Sequence, residues 1–232
     1  MPILRALADA GADVLELGIP FSDPLADGPT IQRSSFQALA GGTTVKGVLE
    51  ALRAFRATHD APVVLFTYLN PILRYGVDAF LADAREAGAQ GLLVTDLPAG
   101  ADPALEEGIR GSGLDLIRLL APTTPRERVR VVAEGGSGFL YYISRTGVTG
   151  AREALRASLA AEVAEIRSRV FLPVAVGFGI STPEQAAAVA AVADGVVVGS
   201  ALVQALEAGG VDAGAAFVAS LRAGMDQAAP RG

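Results

Sequence analysis

The sequence predicts an α/β fold in which parallel strands alternate with helices, either a (β/α)8 TIM barrel or a doubly wound sheet. Short β-branched or leucine-rich runs, apolar on both faces, recur along the chain. Segments rich in Ala, Glu and Arg with helical periodicity lie between these runs. The strand candidates are residues 13–17, 62–67, 91–95, 116–120, 139–143, 173–176 and 195–198.

The helix candidates begin with residues 3–10, which no strand candidate precedes. A helix near the C-terminus carries a capping pattern, with Thr182 at the N-cap, Pro183 at the first helical position and Gln185 at the third. Seven strands after an initial helix leave a barrel one strand short, so the first βα strand is missing. Other helix candidates are residues 45–57, 78–87, 126–134 and 182–192.

The barrel is favoured over the doubly wound sheet for two reasons. Small or polar residues recur at strand ends, where barrel enzymes place their active-site loops, and no GxGxxG follows the first strand. No Pro-, Ser- or charge-rich linker divides the chain. We therefore predict one TIM-barrel domain over residues 1–232, with residues 225–232 as a flexible tail.

Composition excludes several classes of function. The formal net charge of -6 argues against nucleic-acid binding, which needs a basic surface. The chain has no cysteine and a single histidine, His59, so it cannot form disulfides, thiolate metal sites or a histidine cluster, and we predict no metal. Carboxylate-bound magnesium stays open. The N-terminal residues do not form a secretory signal, which favours the cytoplasm.

One apolar stretch raises the question of a membrane span. Residues 186–206 carry one charge over a length that could cross a bilayer. Asp194-Gly195 and Gly199-Ser200 divide the stretch into helix, turn, strand and second helix. We therefore expect no association with a membrane.

Residues 15–32, LELGIPFSDPLADGPTIQ, place three carboxylates at the end of the first strand candidate. Glu16 lies inside the apolar run, where partial desolvation would raise its pKa and suit it to proton transfer near neutral pH. The alternative is a structural charge paired with Arg or Lys. Asp23 and Asp27 follow in turns, and each could instead be a turn former.

Glycines at two later strand ends indicate a phosphate site. GFGIS, residues 177–181, follows one strand candidate, and Gly199-Ser200 directly precedes a helix. Glycine allows the backbone to approach an anion, and amides at a helix N-terminus point toward it. A phosphorylated substrate is therefore expected, although glycine also ends strands for geometric reasons alone.

Further polar residues lie at other strand ends. The loop SRTGVTGAR, residues 144–152, suits a lid that excludes water, or is an ordinary polar loop. Tyr68 and Asn70 in FTYLNP and Asp96 in TDLP complete the predicted rim. Each of these side chains could instead cap a loop.

Seven motifs in order resemble the tryptophan synthase α subunit over almost the whole chain: LELGIPFSDPLADGPTIQ, FTYLNP, LLVTDLP, LAPTTP, YYISRTGVTG, VGFGIS and GSALV. The resemblance implies a (β/α)8 barrel that cleaves indole-3-glycerol phosphate by a retro-aldol reaction, yielding indole and glyceraldehyde 3-phosphate for tryptophan biosynthesis. It implies no cofactor in this chain. It also implies an α2β2 assembly with a pyridoxal-phosphate-dependent β subunit that receives indole through a tunnel.

The resemblance also assigns residue roles. Glu16 matches the general acid/base, and Asp27 matches the carboxylate that binds the indole N–H and stabilises the ring cation. Thr149 matches the lid residue that closes onto Asp27, and Tyr141 lies against the site. The matches to the phosphate cradle are Gly150, Gly177, Gly179, Gly199 and Ser200. The rim that faces the β subunit contains Tyr68, Asn70, Asp23 and Pro24.

The chain departs from this family at its N-terminus, where relatives carry a further strand. Without it, the strand candidates at residues 13–17 and 195–198 would have open edges, and we expect the natural start to lie upstream of Met1. Two other functions stay open. One is a non-catalytic subunit that activates a β partner, and the other is a different sugar-phosphate-binding barrel lyase.

Overall fold

The computed structural model describes residues 2–144, 152–177 and 179–227. The chain forms two compact units, Met1–Ile117 and Arg118–Gly232. Each unit contains its own four-stranded parallel sheet, and the helices that connect the strands cover the sheet. The alternation of strand and helix that the sequence predicts is therefore confirmed in both halves of the chain.

The sheet of unit 1 has strands in chain order, each parallel to the next. The strands are β1 (Leu15–Gly18), β2 (Val63–Thr67), β3 (Gly91–Val94) and β4 (Asp115–Leu116). The helices of this unit are α1 (Pro2–Asp9), α2 (Pro29–Ala40), α3 (Val45–Arg56), α4 (Leu69–Tyr75), α5 (Val77–Glu86) and α6 (Pro103–Gly111).

The core of unit 1 lies between its central strands and helices α3 and α5. Leu65 on β2 and Leu92 on β3 are completely buried, as are Phe55 on α3 and Phe80 on α5. Strands buried on both faces need apolar residues at every position, which explains why these runs do not alternate with polar residues. Helix α2 differs from its neighbours because it buries none of its residues.

The sheet of unit 2 has the same parallel order. Leu140 and Val174 are its completely buried strand residues. The strands are β5 (Arg118–Leu120), β6 (Leu140–Ile143), β7 (Val174–Gly177) and β8 (Gly195–Val197). The helices are α7 (Arg126–Glu134), α8 (Arg152–Arg167), α9 (Pro183–Ala190) and α10 (Ser200–Asp226).

One predicted strand differs from the structure. The run at residues 116–120 forms two short strands, because β4 pairs with β3 and β5 pairs with β6, with Ile117 between them. The strand β5 also opens with a buried charge, Arg118, whose Nε donates to the carbonyl of Gly135 at 3.1 Å. Of the predicted tail at residues 225–232, residues 225 and 226 belong to α10, and residues 228–232 lie outside the described residues.

Among the described residues, α10 is the one helix whose length and composition would allow it to cross a membrane. Gly210 interrupts it with φ 70° and ψ -156°, so its 27 residues form two shorter helices. Neither part reaches the roughly 20 residues that a bilayer core requires. The length of α10 is therefore weak support for a membrane span.

The predicted cap of α9 is present. Thr182 Oγ1 accepts from the amide of Gln185 at 3.3 Å, and Gln185 Oε1 accepts from the amide of Thr182 at 3.2 Å. The same Gln185 oxygen accepts from the amide of Ser181 at 2.7 Å. The capping box thus orders the loop that follows β7.

We predict that Thr182→Ala lowers the free energy of unfolding by about 1 kcal/mol, the usual cost of losing an N-cap side chain. Urea denaturation followed by circular dichroism measures this change. Thr43→Ala is the matched control, because the side chain of Thr43 makes no hydrogen bond within the described part of the chain. Equal losses in both variants would contradict a specific capping role.

Candidate active site

Glu16 lies in the middle of β1, opposite Val64 of β2. Solvent reaches its side chain, yet the surrounding protein desolvates the carboxylate and raises its pKa to about 7. Partial exposure of the side chain does not restore bulk hydration to a carboxylate that the protein surrounds on its other sides. Near neutral pH Glu16 therefore populates both its acid and its base form.

Asp27 accepts a hydrogen bond from Tyr68, which lies in the loop after the neighbouring strand β2. Tyr68 Oη donates to Asp27 Oδ2 at 3.0 Å and accepts from the amide of Ala26 at 3.0 Å. Tyr68 follows β2 directly and is only 4% exposed, so its hydroxyl is held in place by burial. The Asp27 carboxylate is therefore fixed by a contact distant in sequence, in addition to its position in a turn.

The pKa values of this pair are coupled. Burial raises the pKa of Asp27, and the hydrogen bond from Tyr68 acts in the opposite direction. Burial, the charge of Asp27 and the bond to its carboxylate raise the pKa of Tyr68 above its ordinary value. Tyr68 consequently stays protonated and serves as a permanent donor to Asp27.

The other residues of the predicted rim differ in exposure and in hydrogen bonding. Asp96 Oδ1 accepts from the amide of Leu69 at 2.7 Å, so it caps the first residue of α4. Asn70 is exposed on the same helix, and Asp23 is exposed in the loop after β1. Pro24 is buried, so its side chain offers little surface to another protein. The β-subunit interface stays a prediction.

In unit 2, Gly177 at the end of β7 packs against Tyr141. A Cβ at Gly177 would lie 2.8 Å from Tyr141 Oη and 2.9 Å from Val197 Cβ, closer than any side chain allows. Two residues later Gly179 has φ 68°, a conformation that favours glycine. The loop after β7 thus requires glycine at both positions.

The N-terminus of α10 has the features of an anion site. Gly199 is its N-cap residue, and no side chain caps the helix there. Gly199 and Ser200 are both exposed, so the first amides of the helix are accessible to a ligand. Thr149 and Gly150 lie outside the described residues.

The sequence did not single out two residues that contact the Asp27 loop, Gln32 and Ser35. Both bond to backbone atoms of that loop. Unlike a capping box, these side-chain bonds to Asp27 and Phe21 follow no recurrent spacing, so no motif predicts them. Within the described residues, no group of three or more His, Cys, Asp or Glu could hold a metal ion.

These features define an α/β protein of parallel-strand architecture with two carboxylates, Glu16 and Asp27, whose pKa values are raised by burial. A model of the family "Tryptophan synthase alpha chain" matches residues 1–229. The tryptophan synthase alpha chain of Geobacter sp. (strain M21) is 55% identical over 205 residues, covering 88% of this chain and 77% of that relative. That of Acidiphilium cryptum is 50% identical over 208 residues, covering 89% and 75%.

Solved structures agree with this match. The crystal structure of tryptophan synthase subunit alpha from Legionella pneumophila has a TM-score of 0.88 and 42% identity, covering 97% of this chain and 86% of that one. A Mycobacterium tuberculosis tryptophan synthase structure has a TM-score of 0.87 and 40% identity, covering 96% and 85%.

The chain belongs to the tryptophan synthase alpha chain family. Its fold is the (β/α)8 barrel of that family, as the sequence predicted. Its activity is that of the lyase subunit, which cleaves indole-3-glycerol phosphate to indole and glyceraldehyde 3-phosphate in tryptophan biosynthesis.

The raised pKa of Glu16 predicts a pH-dependent effect on stability. The folded chain keeps the Glu16 proton up to about pH 7, whereas an ordinary glutamate loses it near 4.5. Between these values the folded state binds more protons, so this group destabilises the fold as pH rises. We predict that the stability of Glu16→Gln relative to wild type rises from pH 4.5 to about pH 7 and levels off above, measured by urea denaturation.

The control for this prediction is Glu86→Gln, because Glu86 is an exposed glutamate on α5. The difference in free energy of unfolding between Glu86→Gln and wild type should change less with pH than the same difference for Glu16→Gln. A Glu16→Gln difference that stays constant between pH 5 and pH 8 would show that Glu16 is not desolvated in the folded chain.

Proposed function

We propose that Glu16 is the general acid/base of the cleavage reaction. In its acid form it protonates C3 of the indole, which makes the ring cationic. In its base form it then takes the proton of the hydroxyl on the adjacent glycerol carbon. The carbon–carbon bond breaks, its electrons neutralise the ring, and an aldehyde forms. One carboxyl with a pKa of about 7 can serve both steps.

Asp27 then has the complementary role. As an ionised carboxylate it accepts the hydrogen bond of the indole N–H and stabilises the positive charge that develops on the ring. The bond from Tyr68 supports this role, because a donor to the ionised form favours that form. Two carboxylates in different environments thus divide proton transfer and charge stabilisation between them.

The phosphate group of the substrate is assigned to glycine loops and a helix terminus. Gly177 makes room for Tyr141 at the end of β7, and Gly179 gives the following loop its positive φ. Gly199 and Ser200 offer amides at the start of α10. By resemblance to the family, we also propose Gly150 as a part of this cradle, Thr149 as a residue of the lid, and Tyr141 as a residue that lies against the substrate.

We also propose the assembly and setting that the family implies. The chain binds a pyridoxal-phosphate-dependent β subunit in an α2β2 complex and carries no cofactor of its own. Asp23, Pro24 and Asn70 are assigned to that interface, with Asp23 and Asn70 contributing exposed side chains. The protein is a single domain of the cytoplasm that binds neither nucleic acid nor membrane.

Replacement of the acid/base tests the proposed mechanism. Glu16→Gln keeps the size of the side chain but cannot exchange a proton, so we expect kcat to fall at least about 100-fold with KM nearly unchanged. The assay is indole release from indole-3-glycerol phosphate, with and without a tryptophan synthase β subunit. Glu86→Gln should retain wild-type turnover, and undiminished turnover in Glu16→Gln would refute the assignment.

A bulkier residue in the proposed phosphate loop should weaken substrate binding more than it slows the chemical step. Gly179→Val places a branched side chain in the proposed cradle, and we expect KM to rise much more than kcat falls. Gly42→Val is the control for backbone strain, because Gly42 also has a positive φ, 79°, and open space around it. A loss confined to kcat in Gly179→Val would count against the cradle.

A further inference from the structure

Helix α2 contributes no fully buried residue to the core of unit 1. Its 12 residues include no buried side chain, and Phe36 is 49% exposed. The loop that carries Asp27 nevertheless leads directly into this helix. Polar contacts therefore contribute to fixing the position of that loop against α2.

Gln32 provides one such contact. Its side-chain Nε2 donates to the carbonyl of Asp27 at 2.9 Å and to the carbonyl of Pro24 at 3.3 Å. An amide nitrogen carries two hydrogens, so both bonds form together. The amide of Asp27 itself donates to the carbonyl of Pro24 at 3.1 Å. Gln32 therefore clamps both ends of the turn at residues 24–27.

Ser35 provides a second contact from the same face of α2, three residues further on. Ser35 Oγ accepts from the amide of Phe21 at 2.9 Å and donates to the carbonyl of Phe21 at 3.0 Å. The ring of Phe21 lies 5.4 Å from that of Tyr68, measured between centroids. The start of the loop is thus bonded to α2 and packed on the residue that holds Asp27.

We propose that Gln32 is a positioning residue for Asp27, whose side-chain amide fixes the turn at residues 24–27 so that the carboxylate meets both Tyr68 and the indole N–H. The inference rests on the proposed function of Asp27. An error of about 1 Å in the position of a catalytic group can lower turnover about 100-fold. Because α2 buries no residue, loss of the Gln32 amide alters the turn more than the fold.

The first test compares Gln32→Ala with Gln37→Ala in the full chain. Gln37 is exposed on the same helix, and its side chain makes no hydrogen bond within the described residues. We expect Gln32→Ala to lower kcat for indole release at least about tenfold. Gln37→Ala should stay within about twofold of wild type, as exposed positions usually do. Equal activity of the two variants would overturn the inference.

Gln32→Met is the second variant, because it keeps the length and helix propensity of the side chain but has no donor. It should lose as much activity as Gln32→Ala. Wild-type activity in Gln32→Met would show that the stem of the side chain, and not its amide, matters, and would overturn the inference.

A double-mutant cycle separates positioning from a general structural effect. The readout is the dissociation constant of indole-3-propanol phosphate, which lacks the hydroxyls needed for cleavage. In the wild-type background Gln32→Ala should weaken binding at least about fivefold, whereas beside Asp27→Asn it should change binding less than about twofold. An equal loss in both backgrounds would overturn the inference, because Gln32 would then act independently of Asp27.

The same measurements distinguish a failure of the positioning role of Gln32 from a failure of the proposed role of Asp27. If Asp27→Asn leaves turnover and binding unchanged, the proposed role of Asp27 fails and the positioning role fails with it. If Asp27→Asn is impaired while Gln32→Ala matches Gln37→Ala, only the positioning role fails.

Discussion

The parallel pairing of β1 with β2 is the constraint on which the candidate site depends. It places Glu16 beside Val64 and continues past the strand end, where the amide of Ile19 donates to the carbonyl of Phe66 at 2.9 Å. Parallel strands end at the same edge, so the loop after β1 meets the residue after β2. That residue is Tyr68, and its hydroxyl bonds to Asp27.

The carboxylates of Glu16 and Asp27 both lie in unit 1, but their surroundings affect their pKa values differently. Desolvation alone acts on Glu16 and brings its pKa to about 7, where a carboxyl can give and take a proton. Burial also raises the pKa of Asp27, but there the hydrogen bond from Tyr68 acts in the opposite direction and favours the ionised form. The proposed cleavage passes through a ring cation and needs one group of each kind. The two environments therefore support the proposed roles of Glu16 and Asp27.

Local patterns predicted much of the fold. Apolar runs located the strands to within two residues, Thr182 and Gln185 form the capping box, and Glu16 has the raised pKa expected inside an apolar strand. These features depend on neighbours in sequence, or on burial that a strand pattern implies. Motif resemblance supplied the reaction and the roles of the residues, which no periodicity could have shown.

Contacts that are distant in sequence, or that are local but follow no recurrent spacing, could not be predicted in this way. Tyr68 and Asp27 are 41 residues apart, and Gln32 reaches backbone atoms that carry no sequence signature. The break at Ile117 arises because the two halves of one apolar run pair with different strands. In each case the tertiary structure determines which residues or strands come into contact.

The most direct test of this account is the pKa of Glu16 in the intact chain. Carbon-13 NMR of the glutamate side-chain carboxyls, followed from pH 4 to pH 9 and assigned with Glu16→Gln, measures it. We predict a midpoint of about 7. A midpoint near the ordinary value of 4.5 would contradict it, because Glu16 would then be ionised throughout the neutral range and could not protonate the indole ring.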